Sequence, residues 1–359
     1  MATALDVDVN QFPSLTWHHL AINHAHVSTR LSHEAPLEAA RLPEGVSCTV
    51  HSAPHQGAVA IQTGLGSQFD KNFDAVCTAL SVPCREFSVR EGIRAPFVYC
   101  SVAPEPGSQT ALDTLITAEE GSDSTFVFDF HAAKTSGGAF TSRIRVDARQ
   151  NARVHIVTVN LLGLGTIHCS SLGTTVSDGA SVQVTSVDMG GGEVYTGAFH
   201  DLSGYRACVN SRAAYVVRGT QSLDTNYVAR QRGRETESSI AVNGVVLGSA
   251  QKTWRGTIDF VKGCAGAKGD EQEDVLLSGD AVLNKTLPVI LCDEEDVEGR
   301  HGSSIGKLGK DMLFYLQSRG IDRKNAMALM IHSKVSAVSR FIPDSALVER
   351  IESYLEGAF

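Results

Sequence analysis

The sequence predicts a mainly β protein, built as a parallel β-helix (a solenoid) between a short amino-terminal region and a carboxy-terminal helical segment. From about residue 85, short apolar runs alternate with polar residues and are bounded by glycine, aspartate and serine. Three of these runs recur about 28 residues apart, at Phe128, Ile156 and Val184. Such a repeat is typical of stacked coils that each bury a narrow strip. Helical periodicity replaces this pattern only after Ser304.

These patterns divide the chain into three segments. Residues 1–84 form an amino-terminal helical or mixed region, 85–303 the β-helix core, and 304–359 the carboxy-terminal helical segment. In the first segment, residues 1–45 are predicted to be a short helical or irregular lead-in, with Trp17 as a packing anchor. The histidines near it suggest surface or packing roles, because no nearby cysteine or carboxylate completes a metal set; they are His18, His19, His24 and His26.

The core segment is predicted to contain at least seven strands, at 125–130, 153–160, 181–187, 213–217, 239–246, 256–261 and 275–277. The spacing of 28 residues is lost after Cys208. The ends of a strand stack expose unpaired backbone groups and must be covered. We therefore expect the helical flanks to cover the ends, and the edge strands to offer a surface for pairing with another chain.

The tail predicts three short amphipathic helices. Gly320 ends the first, Asp322 caps the second, and Pro343 with Asp344 opens the third. Their apolar positions are Leu308, Met312, Tyr315, Leu316, Ala326, Leu329, Met330, Leu347, Val348, Ile351 and Leu355. Helices this short need a surface to pack on, which the β body, one another or a partner could supply.

Composition narrows the class of protein. With 31 basic and 40 acidic residues the net charge is −9, which opposes nonspecific binding to nucleic acid or anionic membranes. No apolar stretch is long enough to span a bilayer. The eight cysteines are dispersed without a CxxC pair, and the sequence shows no export signal, so we expect reduced thiols in the cytoplasm.

No motif assigns a catalytic residue. The glycine run at 189–192 lacks the lysine and following helix of a phosphate-binding loop, and no GxSxG occurs. A stand-alone β-helix enzyme acting on carbohydrate or an acyl group stays open as an alternative. It would need clustered carboxylates, whereas Asp129, Asp188 and Asp201 lie on separate strands or turns.

Histidine and cysteine side chains suit iron or zinc, but most of those in the core lack a close ligand pair. His168, Cys169, His200 and Cys208 are accordingly predicted as buried packing residues. His301 differs, because it lies beside Gly302 where the strands give way to helix. On residue chemistry alone, ligation and a plain turn role are equally compatible with this position.

An ordered set of motifs in the last third of the chain resembles the SufB/SufD family. The set comprises 226–227 (NY), 234–236 (RET), 244–247 (GVVL), 254–258 (WRGTI), Gln272, 276–278 (LLS), Ala281, Pro288, His301 with Gly302, and 314–321 (FYLQSRGI). The resemblance implies a right-handed parallel β-helix that is a non-catalytic scaffold subunit of the SUF iron-sulfur cluster assembly complex.

The resemblance also implies partners. A SufB-like paralogue would pair through the edge strands (with a homodimer as the form of the isolated chain), and a SufC-like ABC ATPase would dock on the helical tail. The partner-binding residues would be Met312, Phe314, Tyr315, Leu316, Arg319, Ile321, Ala326, Leu329 and Met330. No tightly bound cofactor is expected, but His301 would face a transient iron-sulfur cluster at the interface with the paralogue.

Two positions refine this resemblance. SufB-type chains usually carry a histidine-glutamate pair where this chain has His301 and Gly302, which favours a SufD-like subunit. Many SufD chains place a cysteine two residues before this histidine, where Gly299 stands here. The nearest thiol, Cys292, lies seven residues before that position. His301 is therefore the one ligand candidate near the junction.

Overall fold

The computed structural model describes residues 2–14, 16, 18–39, 41–52, 61–94, 97–133 and 137–357. Trp17, the predicted packing anchor, lies outside them. The strands that precede the repeating part are β1 Thr3–Val9, β2 Ala25–Leu31, β3 His33–Glu34, β4 Leu37–Ala39 and β5 Val46–His51. Helix α1 spans Ser67–Leu80.

The repeating strands follow in pairs. They are β6 Cys84–Val89, β7 Val98–Val102, β8 Gln109–Ala118, β9 Asp123–His131, β10 Gly137–Ala148, β11 Arg153–Leu161, β12 Gly165–Val176, β13 Ser181–Asp188, β14 Glu193–Leu202, β15 Cys208–Val217, β16 Ser222–Gln231, β17 Glu237–Leu247, β18 Gln251–Phe260, β19 Ala267–Ser278, β20 Leu283–Cys292 and β21 Val297–Gly306. Three helices close the chain: α2 Lys310–Ser318, α3 Arg323–Ser339 and α4 Ser345–Glu356.

Each coil contributes one strand to each of two sheets. Sheet 1 has the order β5-β6-β8-β10-β12-β14-β16-β18-β20, with β3 beside β8, and sheet 2 has the order β4-β7-β9-β11-β13-β15-β17-β19-β21. From β6 and β7 onward, all pairings within the sheets are parallel. About eight coils stack in this way, which confirms the predicted β-helix.

One column of paired residues runs through the lumen side of sheet 2 and shows how the coils stay in step. It contains Val98, Phe126, Ile156, Val184, Ser211, Ile240, Glu271 and His301, at steps of 27 to 31 residues. The predicted spacing of 28 is thus close to the observed average of about 29, and Phe126 rather than Phe128 pairs with Ile156. The stack also continues beyond Cys208, because turns of different length absorb the change in spacing.

The sheets are covered on both faces, as parallel sheets require. The lumen is filled by one apolar cluster that includes Phe126, Ile156, Leu172 and Trp254. The outer face of sheet 1 packs under α1 and the β1–β2 hairpin. The outer face of sheet 2 packs under α3 and α4. This explains why strands such as β8 and β10 are buried at nearly every position rather than at alternate ones.

The amino-terminal lead-in differs from its prediction. Apart from a short 3-10 turn at His18–Leu20, it is an antiparallel hairpin with Val7 paired to Val27. Leu5, Val7 and Val9 alternate with polar residues, so the strand signal was present in the sequence. The three tail helices form as predicted, and the Asp322 and Asp344 carboxylates cap α3 and α4 by accepting from backbone N–H groups three residues on.

The two ends of the stack differ, and here the expectation about helical covers is wrong. At the amino-terminal end, β4 and β5 run antiparallel to β7 and β6 and form the outermost strands of the two sheets. The helices cover the faces instead, because their apolar stripes match the apolar outer surfaces of the sheets. Among the described residues, no strand pairs with the outer edge of β20 or β21. None of the helices formed by the described residues is long and apolar enough to cross a membrane.

Candidate docking surfaces at the open end and the helical tail

The last coil presents two parallel edge strands to solvent. Most residues of β20 are half-buried, and most residues of β21 are exposed. Ile305 shows the consequence, because it pairs with the buried Val275 yet is 47% exposed. Unpaired backbone groups beside an uncovered apolar core are a template for another strand pair. We call this surface, formed by β20 and β21, the open end.

His301 lies in the middle of the open end. It pairs with Glu271 of β19 and continues the lumen-facing column, but no further coil covers it and it is exposed. A free imidazole on a rigid edge strand can ligate a metal or accept a hydrogen bond from a neighbouring chain. The structure thus places the predicted residue on a sheet edge that no strand of the described residues covers.

The surroundings of Glu271, which pairs with His301 from the neighbouring strand, favour the uncharged form of its carboxyl group. Its side chain has no accessible surface, and neither carboxylate oxygen has a hydrogen-bond partner among the described residues. Burial, reinforced by the charges of Glu273 and Asp270, raises the pKa of Glu271 to about 8. Gly256 leaves room for this carboxyl, since a β-carbon there would lie 2.3 Å from Glu271 Oε1.

A second polar group inside the last coils was not predicted. Glu273 Oε1 accepts from Lys252 Nζ at 2.6 Å and from Tyr215 Oη at 2.8 Å, and its Oε2 accepts from Thr286 Oγ1 at 2.7 Å. Burial lowers the pKa of Lys252 to about 8, and the partner carboxylate opposes that shift. A charged pair in a solenoid interior has no periodic sequence signal, because it occupies positions where alternation predicts apolar residues.

Gly299 has a steric reason to be glycine. A β-carbon at this position would lie 2.9 Å from Phe260 Cε2 and 3.1 Å from Ile290 Cδ1. Cys292 ends β20, is exposed, and its thiol lies 3.1 Å from the carbonyl of Glu294. The thiol nearest in sequence is therefore on the opposite strand of the last coil.

The second surface is the exposed face of α2. Phe314 is 74% exposed, and Met312 and Tyr315 are more than half exposed. The Arg319 guanidinium stacks over the Tyr315 ring at 5.5 Å. Large apolar side chains so close together rarely face solvent in a monomer, and they mark protein-binding surfaces. Of the predicted apolar positions around this helix, Met312 and Tyr315 are therefore exposed, whereas Leu308 and Leu316 are half-buried.

The remaining predicted partner residues are divided between surface and core. Leu329 is 53% exposed, and Leu316, Ile321 and Met330 are half-buried. Ala326 is fully buried in the chain itself, so its side chain is not available to a partner. The handle, our name for the exposed surface of α2 and the start of α3, accordingly excludes Ala326.

The rest of the tail is fixed to the body and so positions the handle. Ile331, Val335 and Val338 of α3 pack on sheet 2. Ion pairs join Lys334 to Asp274 of β19 and Arg350 of α4 to the buried Asp129. The handle is thus held at the same end of the solenoid as β19.

Histidines outside the open end behave largely as packing residues. His200 is buried between Thr174 Oγ1 and Ser211 Oγ, at 2.9 Å each. At the amino terminus, His26 bridges Asp8 and Asp6, carboxylates that sequence reasoning did not associate with it. Within the residues that the structure describes, no three or more histidine, cysteine or acidic side chains are placed to hold a metal ion.

Fold and surfaces together define a class: a β-solenoid with antiparallel strands at one end, exposed parallel edge strands at the other, and an exposed helical handle. The family described as "SUF system FeS cluster assembly, SufBD core domain" matches residues 101–334. The chain belongs to this SufBD family.

Curated relatives support the same family. The iron-sulfur cluster assembly protein SufD of Bacillus subtilis is 25% identical over 281 residues, which are 77% of this chain and 63% of that protein. A chloroplastic SufBD family protein of Arabidopsis thaliana is 28% identical over 172 residues, which are 48% of this chain and 31% of that protein. A Synechocystis member is 23% identical over 83% of this chain and 65% of its own length. The matched part of the chain thus spans 31% to 65% of the length of these relatives.

Proposed function

We propose that this chain is a SufD-type, non-catalytic scaffold of cytoplasmic iron-sulfur cluster assembly. The open end pairs with a SufB-like paralogue, and the handle docks a SufC-like ABC ATPase. The observation that carries the proposal is that His301 lies on a parallel edge strand whose outer side pairs with no strand of the described residues. The family and the Bacillus subtilis relative named SufD favour this role over a stand-alone enzyme.

Pairing at the open end follows from backbone chemistry. A parallel partner strand would satisfy the free N–H and C=O groups of β20 and β21 and would bury Ile305. A paralogue with the same coil dimensions provides two strands at the right separation, so both edges are satisfied at once. A homodimer meets the same need less specifically and is the expected form of the isolated chain.

The transient cluster is the cargo of this proposed interface. His301 would supply one imidazole ligand from this side, and the remaining ligands would come from the paralogue. Gly299 contributes no thiolate, and the buried Glu271 lies one strand below the imidazole. The proposed contribution of this subunit to the cargo is therefore small, and its main role is to position partners.

Co-purification with the cognate ATPase tests the handle. Met312→Asp combined with Phe314→Asp places two charges in the exposed patch without touching a buried residue. We expect the double variant to fold as the parent does and to lose ATPase binding. Leu164→Asp is the matched control, because Leu164 is 40% exposed on the solenoid body, away from the handle. ATPase binding that survives in the double variant would refute the docking assignment.

A separate variant tests the edge. Ile305→Asp puts a charge into the apolar strip that a paralogue would bury. We expect loss of paralogue pairing with ATPase binding retained, as read from complex mass. Turnover of a carbohydrate or acyl substrate by the isolated chain would instead support the enzyme alternative.

A further inference from the structure

The middle of the solenoid contains a polar chamber that the proposed scaffold role does not use. It is a cavity of about 30 Å³ between the two sheets. Its walls are mostly polar, formed by Thr158, Asn160, His168, Ser170, Ser186, Asp188, Thr196 and Tyr227, with Phe130, Leu172, Gly197 and Ala198 completing them. One water molecule needs about 10–15 Å³ of such cavity volume, so the chamber has room for about two water molecules.

His168 lines this chamber with a ring nitrogen that lacks a hydrogen-bond partner among the described residues. The residue is fully buried and stacks on Phe140, with ring centroids 5.3 Å apart. Its Nδ1 lies 3.2 Å from the Phe140 carbonyl oxygen, which can only accept, so Nδ1 carries the proton. Nε2 is then a lone-pair acceptor, and it has no hydrogen-bond partner among the described residues. A buried acceptor of this kind requires a donor or a cation.

Asp188 provides negative charge in the same wall. Its Oδ1 accepts from Asn160 Nδ2 at 3.3 Å, and Asn160 is fixed in turn by the Leu162 N–H and the Gly190 carbonyl. Burial raises the pKa of Asp188 to about 6, with the Asn160 hydrogen bond opposing the shift. The carboxyl is thus mainly ionised at neutral pH. No lysine or arginine in the described part of the chain forms an ion pair with it.

We propose that the chamber is a binding site for one small monovalent cation, of the size of ammonium or potassium, held by Asp188, His168 Nε2 and the surrounding hydroxyl groups. The half-buried Asp188 carboxylate supplies the charge that a lone cation needs inside the solenoid. Ser170, Thr196 and Tyr227 supply neutral hydroxyl oxygens, and these hydroxyl groups can rotate so that their lone pairs face the bound cation. An ammonium ion would donate to His168 Nε2, whereas potassium would use the oxygens alone. The site is independent of both partner surfaces.

Thermal unfolding in defined salts tests the site in the full chain. Ammonium chloride and potassium chloride are compared at equal ionic strength with tetramethylammonium chloride, whose cation is too large for the chamber. We expect a Tm gain of about 2 °C or more in at least one of the small-cation salts. Asp188→Asn abolishes that gain, and Asp201→Asn, at a surface carboxylate paired with Arg232, keeps it. Ammonium ahead of potassium supports His168 as a partner, and potassium ahead of ammonium contradicts a role for His168 Nε2.

Two results would overturn the site. One is an equal Tm in all three salts, and the other is a gain that persists in Asp188→Asn. Should Asp188→Asn not fold, His168→Gln is measured in the same salts, and it should reduce the ammonium gain. Crystals soaked in thallium(I), a heavy substitute for potassium, provide an independent readout. The site predicts an anomalous peak beside Asp188, and water alone in the chamber contradicts it.

Discussion

The ammonium of Lys252 and the carboxylate of Glu273 form an ion pair inside the solenoid, with Nζ 2.6 Å from Oε1 and neither side chain accessible to solvent. Lys252 belongs to sheet 1 and Glu273 to sheet 2, so the pair ties the two sheets together one coil before the open end. Thr286 of the last coil and Tyr215 also donate to Glu273. The pair therefore fixes the last coil to the rest of the stack.

Breaking this pair on one side is predicted to be strongly destabilising. Lys252→Met leaves Glu273 as a buried charge without its cation, which costs about 3–5 kcal/mol in comparable cases. We expect a lower free energy of unfolding in urea and earlier loss of structure at β20 and β21. The double variant Lys252→Met with Glu273→Leu should recover most of the loss, because no charge is left unpaired. A single variant as stable as the parent would contradict the described geometry.

Glu271 is predicted to lower stability as the pH rises. Its pKa is about 8 in the folded chain and about 4.5 when solvated, so between these values only the unfolded state releases the proton. This group then favours unfolding by up to about 1.4 kcal/mol per pH unit across that window. Glu271→Gln removes this contribution, so the stability of the variant relative to the parent should rise with pH between about 5.5 and 7.5.

The matched control for this titration is Glu237→Gln at the exposed start of β17. It removes the same charge from the surface and should leave the pH profile of the parent unchanged. Identical slopes for the parent and Glu271→Gln would show that Glu271 is solvated or paired.

Gly299 is predicted to resist substitution for steric reasons. Gly299→Cys restores the thiol found in many SufD chains but brings its β-carbon against Phe260 and Ile290. We expect a loss of about 1–3 kcal/mol in the free energy of unfolding, as for other overpacked sites. Combining it with Ile290→Val should return part of that loss. A single variant with the same free energy of unfolding as the parent would show that the Phe260 side chain moves aside without cost.

His301→Ala is predicted to separate cluster formation from assembly. The side chain is exposed and makes no packing contribution to the core, so folding, paralogue pairing and ATPase binding should persist. Cluster formation by the reconstituted complex, followed by visible absorbance, should fall at least several-fold. His33→Ala, an exposed histidine near the amino-terminal end, should have no effect. Unchanged cluster formation would reduce His301 to a structural residue.

Periodicity was sufficient to predict the solenoid but not its register. Alternation at Val154 and Ile156 or at Val182 and Val184 identifies strands locally. Turn length, however, varies from coil to coil. A fixed spacing of 28 residues therefore aligned Phe128 with Ile156, whereas Phe126 is the residue that pairs with Ile156. The parallel sheets are buried on both faces, which also blurs alternation in strands such as β8.

The docking surfaces were predictable in part. Helix caps at Asp322 and Asp344 follow from short-range chemistry and were identified correctly. Which end of the stack stays open depends on β4 and β5 folding back in antiparallel pairs, an arrangement between distant segments that no local pattern encodes. The burial of Ala326 and the Lys252–Glu273 pair likewise depend on contacts across the fold.

Pairing through the open end is tested by hydrogen exchange of the backbone amides of β20 and β21, with and without the SufB-like paralogue. We expect fast exchange along the outer edges of both strands in the isolated chain at concentrations that keep it monomeric. In the complex we expect strong protection of the same amides, with β4 and β5 unchanged. A complex that forms while exchange at β20 and β21 stays fast would contradict pairing through the open end.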